Sequence, residues 1–336
     1  MNQVTIQDIA DAAKVSKATV SRVLNGTASV AEEKKNAVLQ ATRQLGFKPN
    51  TLARSLASGR SMTIGVLTQI IGSPFYDTIS QGVIAGLSGT GYSPIFADGR
   101  WERGAEVEAI DTLVSRRVDG LVLIGGDVPG DDTTQLCAQL PTVLAARKTD
   151  LPEHNCVYMD NVAGGFDATS HLIEHGHSSI AFIQGIAHHP DAIDRFTGYK
   201  TALQNNGIEL NSRLVLKGDF TAESGAAAVE TLINNKTPFS AIFAANDMAA
   251  FGARLALHRN GLRVPKDVSL VGFDDQMESA YMTPPLTTIR QPAQEMGQSA
   301  SAAVLSLING EPFESQMFRG QLQARESVSP SSSSSS

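Results

Sequence analysis

Four polar side chains with complementary hydrogen-bonding chemistry recur in the larger, C-terminal part of the sequence. Asp160, Asn246 and Asp274 stand at the ends of predicted strands, and Arg195 stands early in a predicted helix. Carboxylates and amides accept hydrogen bonds from hydroxyls, and a guanidinium donates several in a fixed geometry. These residue types therefore predict a site for the hydroxyls of a sugar. The alternative is that acids at strand ends only cap the helices that follow, as we expect for Asp247.

A second set of chemically capable residues lies near the N-terminus, on a predicted helix that Ser16 caps. Val20, Val23 and Leu24 of this helix form its inward face. The opposite face, at the exposed N-terminal end, carries the residue types that contact DNA in a groove. Its members are Lys17, Ala18, Ser21 and Arg22.

Two further helices complete a predicted three-helix head. Thr5 has the spacing of a capping box with Asp8 and begins the first helix. The third helix is predicted to open at Ser29 and to turn Leu45 inward. Other small helical bundles share this pattern, so the pattern alone does not assign DNA binding. The following segment, 49–58, predicts a helix too short to be stable without a partner.

Charge is divided unevenly along the 336 residues, whose net charge is −7. Through Arg60 nine Lys/Arg stand against four Asp/Glu, or +5, which leaves eighteen against thirty, or −12, for the remainder. An acidic chain as a whole argues against nucleic-acid binding, but a basic head on an acidic body is consistent with it.

Strands and helices alternate in the body, which predicts an α/β fold with doubly wound parallel sheets. One series begins with a buried strand at 62–68, and a second begins with a helix from Gly164. Two similar series predict two lobes. Ligands of open α/β sheets lie outside the carboxyl ends of the strands, so the expected site is the cleft between the lobes.

Three segments of the head resemble the lactose-repressor/galactose-repressor (LacI/GalR) family of bacterial transcription regulators. They are 15–25 (VSKATVSRVLN), 46–50 (GFKPN) and 53–57 (ARSLA), in the order and spacing of that family. The resemblance continues through the body almost to the end of the chain. The body motifs are 118–120 (VDG), 160–161 (DN), 176–177 (GH), 195–199 (RFTGY), 246–249 (NDMA), 272–275 (GFDD) and 285–289 (PLTTI).

For the head, the resemblance implies a helix-turn-helix domain at 1–48 and a hinge helix and linker at 49–60. The hinge helix would fold on the operator, and Leu56 would wedge into the minor groove and kink the DNA. The residues that the resemblance places on DNA are Thr5, Ser16, Lys17, Ala18, Ser21, Arg22, Asn25, Asn50, Ala53 and Leu56.

For the body, at 61–330, the resemblance implies two lobes like those of periplasmic sugar-binding proteins, with three chain crossings between them. The first lobe would comprise about 61–160 and 291–318, and the second about 161–290 and 319–330. The serine-rich tail, 331–336, is predicted to be disordered.

The resemblance favours effector contact for Arg195, Asn246 and Asp274. For Phe75, Tyr76, Asp160, Phe220 and Gln291, both effector contact and a structural role stay open. Arg147 stands where the lactose branch has an acid. Because a cation cannot accept a hydroxyl proton, Arg147 as a contact argues against a lactose analogue as the effector.

No catalytic residues and no cofactor are predicted, since no nucleophile elbow, phosphate-binding lysine loop or dinucleotide-binding glycine motif is found in the sequence. His171 and His175 fit a zinc motif, but we interpret them as a polar helix end and expect no metal. His188 and His189 are interpreted as a solvated loop pair. Cys137 and Cys156 are interpreted as buried thiols.

We expect a cytoplasmic protein, because the sequence opens on a capped helix rather than a leader and contains no apolar run of membrane-spanning length. No leucine-rich helix like that of the tetrameric branch of the family follows Arg325, so we expect a homodimer without membrane association.

The function that these observations predict is sequence-specific transcription regulation. We expect a repressor of a sugar-utilisation operon that binds a pseudo-palindromic operator and is controlled by a glucoside-type or galactoside-type sugar. One alternative is a purine or sugar phosphate acting as corepressor. Two others are a binding protein without DNA function, which the basic head disfavours, and a hydrolase, which lacks a candidate nucleophile.

Overall fold

The computed structural model describes residues 4–25, 30–47, 59–126, 130–149, 151 and 154–331, with the side chains of Asn25 and Gly130 excepted. The chain divides into two compact units, Met1–Ser61 and Met62–Ser336. We refer to them as the head and the body.

The head contains α1 (Ile6–Ala12), α2 (Lys17–Asn25) and α3 (Glu32–Gln44). The capping box at α1 is confirmed, because the side chain of Asp8 accepts a hydrogen bond from the Thr5 N–H at 2.7 Å and the Thr5 hydroxyl accepts one from the Asp8 N–H. The Ser16 hydroxyl likewise accepts from the Thr19 N–H at 3.2 Å. The predicted caps Thr5 and Ser16 therefore begin α1 and α2.

The three helices of the head bury one small core of Ile9, Ala10, Val20, Val38 and Ala41. Two expectations for α3 were wrong. This helix follows Ala31, whose side chain makes no cap, and the predicted cap Ser29 lies outside the described residues. Leu45 is 38% exposed, and Phe47 packs against the core in its place.

Up to the first crossing between the lobes, the described part of the body contains five strands and three helices, and a fourth helix follows the crossing. The elements are β1 (Thr63–Thr68), α4 (Pro74–Leu87), β2 (Ser93–Asp98), α5 (Arg103–Ser115), β3 (Gly120–Ile124), α6 (Gly130–Gln139), β4 (Thr142–Ala145) and β5 (Asn155–Met159), followed by α7 (Asn161–Glu174). The α/β alternation predicted for this part is confirmed.

The remainder of the body repeats the alternation and then adds a long helix and two short strands. The elements are β6 (Ile180–Ile183), α8 (Pro190–Asn205), β7 (Val215–Leu216), α9 (Ala222–Asn234), β8 (Ala241–Ala244), α10 (Asp247–Arg259), β9 (Ser269–Asp274), β10 (Thr287–Arg290), α11 (Ala293–Ile308), β11 (Gln316–Phe318) and β12 (Gln321–Gln323).

These strands form two six-stranded sheets, each the centre of one lobe. The first sheet has the order β11-β5-β4-β3-β1-β2 and is parallel throughout. The second has the order β12-β10-β9-β8-β6-β7 and is parallel except for β12, which runs antiparallel to β10. The prediction of purely parallel sheets therefore needs correction at one edge strand.

The chain passes between the two sheets three times, after β5, after β10 and after β11. In the return to the first lobe, α11 packs on α4 so closely that a Cβ added to Gly297 would lie 2.8 Å from the Cα of Gly82. The last described residue departs from expectation, because Ser331 is buried and its N–H donates to the His175 carbonyl at 2.8 Å. The rest of the predicted disordered tail lies outside the described residues.

Candidate functional site

A cavity of about 170 Å³ lies between the two lobes, at the carboxyl ends of strands from both sheets. Six of the nine residues predicted as candidates for effector contact line it: Phe75, Tyr76, Arg195, Phe220, Asn246 and Asp274. We call this cavity the cleft. The parallel sheets explain the grouping, because the ends of parallel strands meet at one edge of each sheet.

Arg195 is fixed within the cleft and is 3% exposed. Its Nε donates to Asn161 Oδ1 at 2.9 Å, and its Nη1 donates to the Ala245 carbonyl at 2.7 Å. The guanidinium carbon lies 3.8 Å from the centroid of the Phe273 ring. A Cβ added to Gly165 would lie 2.9 Å from the Cα of Arg195, so close contact between α7 and α8 also fixes the backbone of Arg195.

Asp274 ends β9 beside that guanidinium. Its Oδ1 lies 3.7 Å from Arg195 Nη1 and accepts a hydrogen bond from Gln291 Nε2 at 2.7 Å. Burial raises the pKa of Asp274 to about 6, although Arg195 and Gln291 act in the opposite direction. Its φ of 114° is a strained value for a residue with a side chain, of the kind that concentrates at functional sites.

Together Arg195 and Asp274 form one donor and one acceptor group at a single point of the cleft. A pair of adjacent hydroxyls can accept from the guanidinium and donate to the carboxylate at the same time. Asp191 stands on the other side of Arg195, with its Oδ2 3.9 Å from Nη2. Sequence reasoning missed Asp191 because it reads as an ordinary acid in the first turn of α8.

Asn246 has a structural role as well as a position in the cleft. Its Oδ1 accepts from the Ala249 N–H at 2.9 Å, which caps α10, and its Nδ2 donates to the Phe220 carbonyl at 3.0 Å. Each amide atom retains one further hydrogen-bonding position. The sequence suggested Asp247 as the cap of this helix, and that prediction was wrong. The cap is Asn246.

Asp247 is fully buried instead and accepts three hydrogen bonds, two from the segment after β9 and one from β10. Its donors are the Gln276 N–H at 2.8 Å and the hydroxyls of Ser279 and Thr288, each at 2.6 Å. Burial raises the pKa of Asp247 to about 7, with the nearby Asp274 carboxylate adding to the effect. This carboxyl group ties the segment after β9 to β10, next to the cleft.

Five rings form a continuous chain of contacts along the cleft wall. The centroid separations are 5.2 Å for Phe75–Tyr76, 6.0 Å for Tyr76–Trp101, 4.8 Å for Trp101–His189 and 5.5 Å for His189–Phe220. Trp101 and His189 were missed from the sequence. The prediction of a solvated pair at 188–189 was wrong for His189, which is 9% exposed and caps α8.

Three predicted residues lie outside the lining of the cleft. Asp160 accepts from the Ala163 N–H at 2.9 Å and caps α7, which is the structural alternative stated for strand-end acids. Gln291 is buried and acts on the cleft through its bond to Asp274. Arg147 is half-buried and lies near the Cys156 thiol. Burial raises the pKa of that thiol, and the positive charge of Arg147 acts in the opposite direction. Cys156 is buried as predicted, whereas Cys137 is only half-buried.

The predicted DNA-contacting residues of the head occupy one side of α2 and the ends of two helices. Lys17, Ala18 and Arg22 are exposed and Ser21 is half-buried. Lys17 with Ser21, and Ala18 with Arg22, are four residues apart and so share a helix face. Thr5 and Ser16 are also exposed. The side chain of Asn25 and the residues Asn50, Ala53 and Leu56 lie outside the described residues.

Within the described ranges, no group of three or more His, Cys, Asp or Glu is arranged to hold a metal ion. His175 Nδ1 lies 2.8 Å from the carbonyl oxygen of His171, at the end of α7. The helices of the described part of the chain are all too short or too polar to cross a membrane.

Two family descriptions match the chain. Residues 5–50 match "Bacterial regulatory proteins, lacI family", and residues 61–325 match "Periplasmic binding proteins and sugar binding domain of LacI family". The second match alone spans more than half of the chain.

Two similar proteins of Escherichia coli (strain K12) are regulators. The "HTH-type transcriptional repressor CytR" is 34% identical over 311 residues, which cover 91% of this chain and 90% of that protein. The "HTH-type transcriptional regulator GalR" is 35% identical over 329 residues, which cover 97% and 96%.

Two solved structures resemble the fold over nearly the whole length. The Lac repressor dimer bound to operator and the anti-inducer ONPF has a TM-score of 0.87 at 29% identity, covering 98% of this chain and all of that one. The CelR–cellobiose complex has a TM-score of 0.73 at 34% identity, covering 97% and 100%.

Proposed function

The chain belongs to the LacI family of bacterial regulatory proteins, and we propose that it represses transcription as a homodimer whose operator binding is weakened by a small neutral sugar. The observation that carries the sugar half of this proposal is the buried Arg195–Asp274 pair in an aromatic-walled cleft. Its relatives CytR and GalR are transcriptional regulators, which supports a non-enzymatic role.

The chemistry of the cleft favours a sugar over an anionic ligand. The charged side chains of its lining are the carboxylates Asp191, Asp219 and Asp274 against the single guanidinium of Arg195. A phosphate would meet more negative than positive charge there, so the sugar-phosphate alternative is disfavoured. A neutral sugar can pack an apolar ring face on aromatic side chains and direct its hydroxyls at Arg195 and Asp274.

The size of the cleft favours a ligand with one ring. Its volume of about 170 Å³ is below the roughly 300–1,000 Å³ that is typical of pockets for larger ligands. A monosaccharide glucoside or galactoside fits this class. A purine is the second candidate, because the rings of Trp101, His189 and Phe220 can also contact a flat aromatic ligand.

The homodimer is supported by apolar surface on the first lobe. The strand β2 lies at the edge of its sheet and carries Phe96, which is 36% exposed. Nearby α5 exposes Val107 and Val114, at 40% and 41%. Exposed apolar residues on adjacent elements are typical of a protein interface. Two copies would present two recognition helices to the two half-sites of a pseudo-palindromic operator. We propose that this takes place in the cytoplasm.

A thermal-unfolding panel tests the ligand class. We would compare methyl β-D-glucopyranoside, methyl β-D-galactopyranoside, cellobiose, glucose 6-phosphate and adenine, each at millimolar concentration. A ligand at a hundred times its Kd adds about 2.7 kcal/mol to the free energy of unfolding. We expect a neutral monosaccharide glycoside to raise the Tm of the body and glucose 6-phosphate to leave it unchanged. Stabilisation by adenine or glucose 6-phosphate alone would overturn the sugar proposal.

A further inference from the structure

The five-ring chain in the cleft crosses from one lobe to the other at a single contact. Phe75, Tyr76 and Trp101 belong to the first lobe, and His189 and Phe220 belong to the second. The crossing is the edge-to-face contact between Trp101 and His189, with ring centroids 4.8 Å apart and an interplanar angle of 63°. Edge-to-face pairs at this distance are favourable beyond the apolar area they bury.

Trp101 is held at this position by its own lobe. It follows β2, and both Arg100 and Trp101 have a φ of 54°, in the left-handed region that L-residues other than Asn and Asp rarely adopt. The Trp101 N–H donates at 3.1 Å to Oε1 of Gln69, whose side chain is fully buried. Such strained backbone persists only where the surrounding structure stabilises it, and it concentrates at functional sites.

His189 is held by the second lobe in a comparable way. It is the N-cap of α8, and its Nδ1 accepts a hydrogen bond from the Asp191 N–H at 3.1 Å. The following Pro190 occupies the first turn, where its fixed φ suits a helix start. The same helix carries Arg195, so the position of His189 is coupled to the position of the guanidinium that would bind the ligand.

We propose that Trp101 and His189 form a cross-lobe latch, a contact that holds the two lobes together over the ligand and sets how tightly the cleft retains it. Trp101 is a positioning residue in this account. The proposal rests on the proposed function for the identity of the ligand, but the ring contact is argued independently of which ligand binds. Two lobes that separate to release a ligand must break this ring contact.

The sequence provides a direct reporter, because Trp101 is the one tryptophan among the 336 residues. The tryptophan fluorescence of the full chain therefore reports on the surroundings of Trp101. We would measure quenching by acrylamide, a neutral quencher, in the absence of ligand. In wild-type protein the indole should be shielded, since His189 and Tyr76 both contact its ring.

His189→Asn removes the ring and keeps an acceptor for the α8 cap, since asparagine is a favoured N-cap residue. We expect it to make Trp101 more accessible to acrylamide and to shift its emission to longer wavelength. His189→Phe keeps a ring and should retain most of the shielding. The matched control is His188→Asn, because His188 is the neighbouring exposed histidine and should leave both quantities unchanged.

Retention of the ligand is the second measurement, made with methyl β-D-glucopyranoside or methyl β-D-galactopyranoside. Trp101→Leu should bind the glycoside about three- to tenfold more weakly than wild type, as the energy of an aromatic pair implies, and Trp101→Phe should bind at an intermediate level. The loss should lie in a faster dissociation rate, because a latch acts on the closed state.

Unchanged acrylamide quenching in folded His189→Asn would overturn the latch, whatever the ligand. Circular dichroism checks the fold, and His189→Ser carries the same test if the asparagine variant does not fold, because serine is an equally favoured cap. The quenching experiment contains no ligand, so its failure leaves the proposed function standing. If no sugar binds, the proposed function is contradicted. The latch would still be supported in that case, provided that Trp101 is shielded in wild type and becomes accessible in His189→Asn.

Discussion

At the scale of single residues, the cleft depends on one carboxylate held beside one guanidinium. Arg195 is bonded to Asn161 and Ala245 as well as facing Asp274, so its removal would also disturb the second lobe. Asp274 is the sharper position to test. Asp274→Asn keeps the shape of the side chain and an oxygen for the Gln291 donor, and it removes the charge.

We predict that Asp274→Asn lowers the affinity for the glycoside by about ten- to a hundredfold, as the loss of a charge-assisted hydrogen bond implies. Calorimetric titration measures this affinity. The matched control is Asp267→Asn, which removes a carboxylate from the Arg263–Asp267 ion pair elsewhere on the same lobe and should leave sugar affinity unchanged. Wild-type affinity in Asp274→Asn would show that this carboxylate does not bind the ligand.

Asp247 gives the second residue-scale prediction, which concerns pH. Its pKa in the folded protein is raised to about 7 by burial, above its ordinary value of 3.8. The folded state therefore holds the proton more tightly than the unfolded state, so the stability that protonation contributes is full below about pH 4 and is lost as pH rises through about 7. Wild type should lose stability relative to Asp247→Asn between pH 5 and pH 8.

Urea unfolding of both proteins at several pH values measures that difference, and taking the difference cancels the titrating groups that do not interact with Asp247. Parallel stability curves for the two proteins across this range would contradict the assigned pKa.

Arg195, Asn246 and Asp274 were predicted at the cleft because their residue types, their positions at strand ends or early in a helix, and the family motifs around them are all visible in the sequence. It missed Trp101 and His189 for a physical reason. Their importance comes from a contact between two lobes, and no local periodicity shows which loop reaches a partner 88 positions away. Asp160 and Asp247 show that position alone does not fix a role. Asp160 caps a helix, which was the structural alternative left open for it, whereas Asp247 was expected to cap a helix and instead accepts hydrogen bonds from the segment after β9.

At the scale of elements, the exposed side of α2 is the surface that we propose reads the operator. The capping residues Thr5 and Ser16 were readable from the sequence, and the structure has the helices where those caps begin them. By contrast, α11 was not predicted, since its face toward α4 includes the small residues Gly297 and Ser301, which give only a weak apolar pattern. Close helix packing selects such residues, and local sequence does not reveal the partner.

We predict that Arg22→Ala lowers the discrimination of operator from random DNA by about 1–3 kcal/mol, as expected if its guanidinium pairs with a guanine. Lys17→Ala should weaken binding to both DNAs. Fluorescence anisotropy at fixed salt measures both affinities. Lys34→Ala is the matched control, because Lys34 is an exposed cation on α3 and should leave the discrimination intact. If both α2 variants match this control, the recognition face lies elsewhere.

At the scale of the whole molecule, the two lobes of the body are joined by three chain segments, after β5, β10 and β11. A ligand that contacts both lobes can favour one arrangement of them, and it changes DNA binding only if operator prefers the other arrangement. The coupling is reciprocal, so if the sugar lowers the affinity for operator, operator lowers the affinity for the sugar by the same factor. Neither site needs to touch the other for this to hold.

The central claim is that occupancy of the cleft controls operator binding, and one titration tests it most directly. A labelled DNA fragment, selected from random sequence by the protein itself, is titrated with wild-type protein with and without saturating methyl β-D-glucopyranoside or methyl β-D-galactopyranoside. Trp101 fluorescence reports that the cleft is occupied. We predict two chains per fragment and a loss of affinity of about 5–150-fold with sugar, the usual range of coupling between sites. Asp274→Asn should bind the fragment like wild type and should not respond to the same sugar concentration. An operator affinity that stays the same while the cleft is saturated would contradict the account.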